Sequence, residues 1–178
     1  MIKNLIDEQL ISVNNTAVID FNKYRKALKI TSKDLEQYKD IKSLCLLGVA
    51  RGGLPFMTGV SHFSGLRNVS SLQVQMNKSD ERADYGDAVL LSGAFDMSYD
   101  NYIIFEDIIY KGKSINQVVK LLKQKNKNVL AIYSLVIDEN YITDTVFEYD
   151  NIPVKYIYKV HKDDWVYFPW EIGYPDTV

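Results

Sequence analysis

Cysteine and histidine are nearly missing from this chain, and their scarcity closes several routes at once. The single cysteine, Cys45, lies in the apolar run Leu44-Cys45-Leu46-Leu47. It has no partner for an internal disulfide and reads as a small buried core residue. The two histidines, His62 and His161, have no neighbours at metal-ligand spacing, so no histidine metal set is expected, and His62 falls in a helical stretch where a structural role is the simpler reading. An excess of either charge is missing too. The 21 basic residues face 23 acidic ones, a net charge of −2, which gives no electrostatic reason to expect nucleic acid or an anionic membrane as a partner. No apolar run approaches the ~20 residues that span a bilayer. The opening residues, Met1-Ile2-Lys3-Asn4-Leu5-Ile6-Asp7-Glu8, lack the sustained apolar segment of a signal peptide. No internal repeat or low-complexity linker interrupts the sequence. A soluble, cytoplasmic protein is the expectation.

What is present suits one domain over residues 1–178, with hydrophobic residues at 47% available for a core. Residues 1–17 are weakly patterned, an extension or an edge hairpin. Helical spacing follows from Val18 to Leu28, with Phe21, Tyr24 and Leu28 on one face, and Thr31 or Ser32 is placed to cap a short second helix from Lys33 to Tyr38. Ser43 to Ala50 is a continuous apolar run, the pattern of a buried parallel strand. Leu54 to Gly65 reads as a helix, Asn68 to Gln75 as a strand, Met76 to Asp87 as a polar mobile loop or hairpin, and Ala88 to Ser92 as a short strand. Asn128 to Asp138 and Ile152 to Val160 are further strands, and the tail from Lys162 is aromatic and irregular. Strands alternating with helices predict an α/β fold with a mainly parallel sheet.

The stretch around which the chain is organised is Tyr102-Ile103-Ile104-Phe105-Glu106-Asp107-Ile108-Ile109-Tyr110-Lys111-Gly112-Lys113-Ser114. A short apolar strand runs into two adjacent carboxylates, then into a glycine loop. Ser114 is a suitable N-cap, and Ile115, Val118, Val119 and Leu122 continue at helical spacing. A loop that opens a helix offers free backbone N–H groups and a favourable dipole to an anion. Carboxylates at the carboxyl end of a strand lie where open α/β sheets bind ligands. One site could thus hold a phosphate on amides and a metal or hydroxyls on carboxylates, or the acids could simply end a strand at the surface. The Gly-Lys-Ser triplet is not a P-loop, because that motif needs a glycine five residues before Gly112 and Asp107 stands there.

Two further constellations carry chemistry. In Gly48-Val49-Ala50-Arg51-Gly52-Gly53-Leu54-Pro55 a strand ends where an arginine and exposed amides meet a helix start, a second anion site or a plain glycine turn. In Asp163-Asp164-Trp165-Val166-Tyr167-Phe168-Pro169-Trp170-Glu171 the dense aromatics either cover a sheet edge or form a stacking wall for a flat heterocycle.

These three constellations, in this order, resemble the type I phosphoribosyltransferases, and most of all the xanthine-guanine (purine) branch. The family pattern of an apolar strand, two acids, two apolar residues and a Gly-Lys-Thr-like loop is met by Ile103 to Ser114. A Ser-Arg-Gly-Gly-Leu pyrophosphate loop is matched by Ala50 to Leu54, and a Trp-x-x-x-Pro-Trp-acid tail by Trp165 to Glu171. The resemblance implies the family fold, a central mainly parallel sheet flanked by helices with a small hood formed by the C-terminal segment, residues 161–178. It implies transfer from 5-phosphoribosyl 1-pyrophosphate to a nitrogenous base, purine-like in this branch, with Mg2+. On this resemblance Glu106 and Asp107 would serve the ribose hydroxyls and the metal, with Tyr110 beside them at the catalytic loop. Lys111, Gly112, Lys113 and Ser114 would cradle the 5′-phosphate. Arg51 and Gly52 would take pyrophosphate, through a peptide that is often cis in this family. Leu135, Trp165, Val166 and Glu171 would surround the base, Trp165 by stacking. The 6-oxopurine branch carries an aspartate at Tyr110 and a lysine at Leu135, so the proton-handling and O6-contacting groups of that branch are replaced here. A homologue that binds a nucleotide or phosphoribosyl pyrophosphate as a sensor is the alternative. A homo-oligomer, dimer or tetramer, is the family expectation.

Overall fold

The computed structural model of the chain describes residues 2–76, 88–92, 96–138, 140, 151–161 and 164–171. Strand β1 spans Ile2–Gln9, β2 Ser12–Val13 and β3 Thr16–Val18, followed by helix α1 at Phe21–Asp34 and a 3-10 turn at Leu35–Tyr38. Then come β4 (Leu44–Ala50), α2 (Gly53–Ser64), β5 (Val69–Met76), β6 (Ala88–Ser92), β7 (Asn101–Ile109), α3 (Lys113–Gln124), β8 (Asn128–Asp138), β9 (Val154–Val160) and β10 (Trp165–Tyr167). Seven strands form one sheet in the order β1-β9-β8-β7-β4-β5-β6. Every pairing in it is parallel except β5 with β6.

The long apolar runs become central strands because both faces of the sheet are covered. Leu44 to Val49, Tyr102 to Glu106 and Ala131 to Asp138 are buried without interruption. On one face Phe56, Met57 and Val60 of α2 and Ala27 and Leu28 of α1 pack on Leu46, Ile103, Phe105 and Tyr133. On the other, Ile115, Val118, Val119 and Leu122 of α3 pack on Leu47, Ile104 and Ile132. Lys155 is drawn into the first face, where Asp34 holds its ammonium at 2.6 Å.

Several expectations are corrected. The N-terminal residues are no extension: β1 is the edge strand of the main sheet, parallel to β9. A second sheet, ordered β10-β3-β2, forms the hood, so two of its three strands come from the N-terminal region and only one from the tail. Thr31 and Ser32 cap nothing; both are buried inside α1, where the Ser32 hydroxyl donates back to the Leu28 carbonyl at 2.7 Å. Asp20 is the cap of α1, accepting from the Lys23 amide. Phe21 is 67% exposed and does not share the buried face of Leu28. Of the stretch Met76 to Asp87, expected as a mobile loop or hairpin, Met76 ends β5 and residues 77–87 lie outside the described residues.

Candidate functional site

Three strand ends and the tail meet at the carboxyl edge of the sheet. At the end of β7, Glu106 is buried, its Oε1 accepting from the Asp107 amide at 3.2 Å, while Asp107 Oδ1 accepts from the Ile108 amide at 2.8 Å. Burial and the neighbouring Asp107 push the Glu106 carboxyl well above the usual range, and a side-chain hydrogen bond to Asp107 adds to this. Burial also raises Asp107, but hydrogen bonds from Glu106 and backbone amides oppose it. The pair is therefore divided, with the proton favouring Glu106 and the charge favouring Asp107.

The β4–α2 turn sits directly against this pair. A Cβ built on Gly52 would stand 1.7 Å from Asp107 Oδ2, and one on Gly53 would stand 2.3 Å from the Phe105 carbonyl oxygen. Only glycine permits that approach. The Ala50–Arg51 peptide is cis, and Arg51 is exposed at the rim. From the tail, Glu171 reaches the same place. Its carboxyl, tied to the Phe168 amide at 3.0 Å, is raised chiefly by burial and further by Asp107, while Arg51 draws it down. Arg51, Asp107 and Glu171, taken from three separate parts of the sequence, thus act on one another.

Beyond Asp107 a cavity of about 190 Å³ is lined by Glu106 and every residue from Ile108 to Ile115. Gly112, at φ 66°, turns the chain into α3 and is itself the N-cap, so Ser114 lies inside the first helical turn and is not the cap. Its amide and those of Lys113 and Ile115 are in the first turn, whose donors have no partner within the helix. Lys111 is exposed, and Lys113 and Ser114 are half-buried beside the cavity.

The hood closes the other side. The Tyr110 hydroxyl donates to the Asp164 carbonyl at 3.1 Å, tying the β7–α3 loop to the hood. Val166 and Phe168 point into the core, and Trp170 packs edge-on against Tyr24 with centroids 5.2 Å apart. These rings fix the tail in place. Trp165 is turned outward, 54% exposed, with the Tyr167 ring edge-on to it at a centroid distance of 6.3 Å. The third constellation is therefore a cover through its buried rings and leaves one ring exposed. Asp163, the first residue of that constellation, lies outside the described residues.

Leu135 is not brought to the cleft. It is 0% exposed within the core on the hood side of the sheet, so its side chain offers no surface to a ligand. The alternation of faces slips just there. Phe105 packs on the hood side and Ile109 on the α3 side although four residues separate them. Leu135 and Val136 both pack on the hood side, as do Ile157 and Tyr158. The register joins Ile108, Val136 and Tyr158 across three strands, so one step crosses the sheet at the level of the site. Past that step Asp138, not Leu135, holds the mouth of β8. Its signal in the sequence was an acid closing an apolar run, as Glu106 does on β7.

Two adjacent oxygen donors fit a hard divalent ion that completes its shell with water and substrate oxygens. Glu106 and Asp107 meet that description, and a cation beside them would offset the repulsion that raises Glu106. Among the described residues no group of three or more His, Cys, Asp or Glu could hold a metal unaided. No described helix is long and apolar enough to cross a membrane.

No protein-family model matches the chain. Among curated proteins it is similar to an orotate phosphoribosyltransferase of Malacoplasma penetrans, 26% identical over 145 residues that make up 80% of this chain and 64% of that protein. It is also similar to the bifunctional protein PyrR of Caldicellulosiruptor saccharolyticus, 21% identical over 134 residues, 70% of this chain and 72% of that protein. In three dimensions it resembles a purine phosphoribosyltransferase from Pyrococcus horikoshii with a TM-score of 0.66 at 20% identity, covering 89% of this chain and 95% of the other.

Proposed function

The chain has the type I phosphoribosyltransferase fold, and from that premise we propose that it joins a nitrogenous base to 5-phosphoribosyl 1-pyrophosphate, giving a nucleoside 5′-monophosphate and pyrophosphate. The observation that carries this reading is the convergence of Arg51-Gly52, Glu106-Asp107 and Glu171 beside a loop-lined cavity at one sheet edge.

The roles follow from the chemistry. The amides at the start of α3, with Lys113 and Ser114, hold the 5′-phosphate, because an anion at a helix N-terminus meets backbone N–H groups and the positive end of the dipole. Asp107, the more ionised of the pair, and Glu106 hold the ribose hydroxyls. Cleavage of the bond between the anomeric carbon and pyrophosphate leaves positive charge on the ribose ring and negative charge on the leaving group. Asp107 opposes the first, and Arg51 with the Gly52 amide stabilises the second where it develops. Mg2+, held by Glu106, Asp107 and substrate oxygens, would neutralise the phosphates when bound. The base lies under the hood, with Trp165 stacked on one face and the backbone near Val166 along its edge. Tyr110 positions the loop against the hood and is no general base near neutral pH, since its ordinary pKa is about 10.

The test is pyrophosphate release from phosphoribosyl pyrophosphate and Mg2+ with a panel of purines and pyrimidines. Base-dependent release is expected, and Asp107→Asn should lower it by about 10²-fold or more. Release from no base, with the protein folded, would refute the reading.

A further inference from the structure

We propose that Asp138 selects the base, favouring a heterocycle that presents an exocyclic amino donor over one that presents a carbonyl at the same place. This rests on the transferase reading of the site. The placement comes from register and burial. Asp138 is the last residue of β8 and pairs with Val160 of β9, while Ile137 lies level with Ile109 of β7, which puts Asp138 beside Tyr110 at the mouth of the sheet. After the step in the sheet, Val136 faces the hood side and Ile137 the α3 side. Alternation then returns Asp138 to the hood side, as it does Tyr110, whose hydroxyl reaches the hood.

A carboxylate at that place is costly unless it is used. Asp138 is 6% exposed, and none of the ion pairs among the described residues includes it. The one lysine buried among the described residues, Lys155, is held by Asp34 and lies five residues back along β9 from the partner of Asp138. Its hydrogen bonds are one-sided. The Asn140 amide at 2.7 Å and the Asn140 side-chain nitrogen at 2.9 Å both donate to Oδ1. That clamp fixes the plane of the carboxylate and leaves Oδ2 outside it. An ionised carboxylate only accepts hydrogen bonds, so it rewards an N–H and repels a carbonyl lone pair.

The experiment measures base binding by calorimetry with Mg2+ and pyrophosphate present, and turnover by pyrophosphate release, for adenine against hypoxanthine and cytosine against uracil. Wild-type protein should prefer the amino member of the pair it accepts by about tenfold or more, in binding and in kcat/KM. Asp138→Asn should narrow that ratio to about threefold or less, and Asp138→Lys should reverse it, while the affinity for Mg2+ and phosphoribosyl pyrophosphate stays within about twofold. Preference for the oxo member by wild-type protein, or a ratio unmoved in Asp138→Asn with its melting temperature intact, would overturn the proposal. Because the wild-type preference is itself a test, a variant that fails to fold does not shield it. An amino preference in binding without turnover would refute the transferase reading alone and support Asp138 as the selector. No binding of any base would refute both.

Discussion

Glu106 is where this protein trades stability for a site. Its folded-state carboxyl lies above the ordinary 4.5, so the folded protein holds a proton that the unfolded chain gives up. Stability from this group is full below the unfolded value and is lost as pH rises through the folded one. Glu106→Gln removes the buried ionisable group and keeps its shape. Near neutral pH it should raise the melting temperature and flatten the decline in stability as pH rises above the ordinary glutamate range, while turnover falls. A variant that melts lower than wild type near neutral pH would contradict this. Gly52 is the opposite case, a residue whose lack of a side chain is the function. In Gly52→Ala the new methyl must displace Asp107, so pyrophosphate release should drop by about 10²-fold while the melting temperature falls by only a few degrees. Equal activity in that variant would mean that Asp107 has room to move. Cys45 supplies a simpler check. It is fully buried, with its thiol pushed up to about 12 chiefly by burial, so a thiol reagent near pH 8 should leave it unlabelled until the protein unfolds.

Elements were legible in the sequence where burial on two faces leaves an uninterrupted apolar run. β4, β7 and β8 declare themselves that way, and α3 does so through Ile115, Val118, Val119 and Leu122. β1 did not, because an edge strand has one neighbour and tolerates Lys3, Asn4 and Glu8 among its apolar residues. Helix ends were misplaced where a hydroxyl suited two roles: Ser32 back-bonds inside α1, and Ser114 follows a glycine that makes the turn itself. The site was legible as motifs with glycines and paired acids. Asp138 shows in the sequence only as an acid closing an apolar run; the step in alternation that turns it to the hood side arises from the sheet as a whole. Tyr110 links two elements that sequence reasoning treated apart, the phosphate loop and the hood. Its neutral hydrogen bond to the Asp164 carbonyl is worth about 1 kcal/mol. Tyr110→Phe should therefore raise KM for the base by about fivefold, leave the affinity for phosphoribosyl pyrophosphate unchanged, and not shift the pH profile of turnover. A lost pH limb would instead make the phenol a proton carrier.

At the scale of the molecule, two sheets of unequal strength share one site. The seven-stranded sheet buries both faces under helices, whereas the hood is three strands of two, three and three residues. Its attachment runs through Ala17, Val166 and Phe168 in the core. Short ladders with few buried contacts open at lower free energy than central strands. Native-state hydrogen exchange should therefore find amides of β4, β7 and β8 near the protection of global unfolding and those of β3 and β10 well below it. On the proposed function a nucleoside 5′-monophosphate would touch both bodies, with its 5′-phosphate at the start of α3 and its base beneath Trp165. Its binding should slow exchange in the hood and in residues 110–115 together and leave the central strands unchanged, because a ligand raises the opening free energy only of the units whose opening destroys its site. Inorganic phosphate should protect the loop alone. Hood amides as slow as those of β7 in the free protein would make the two sheets one cooperative unit, and the hood could not then open to admit a base independently of the core.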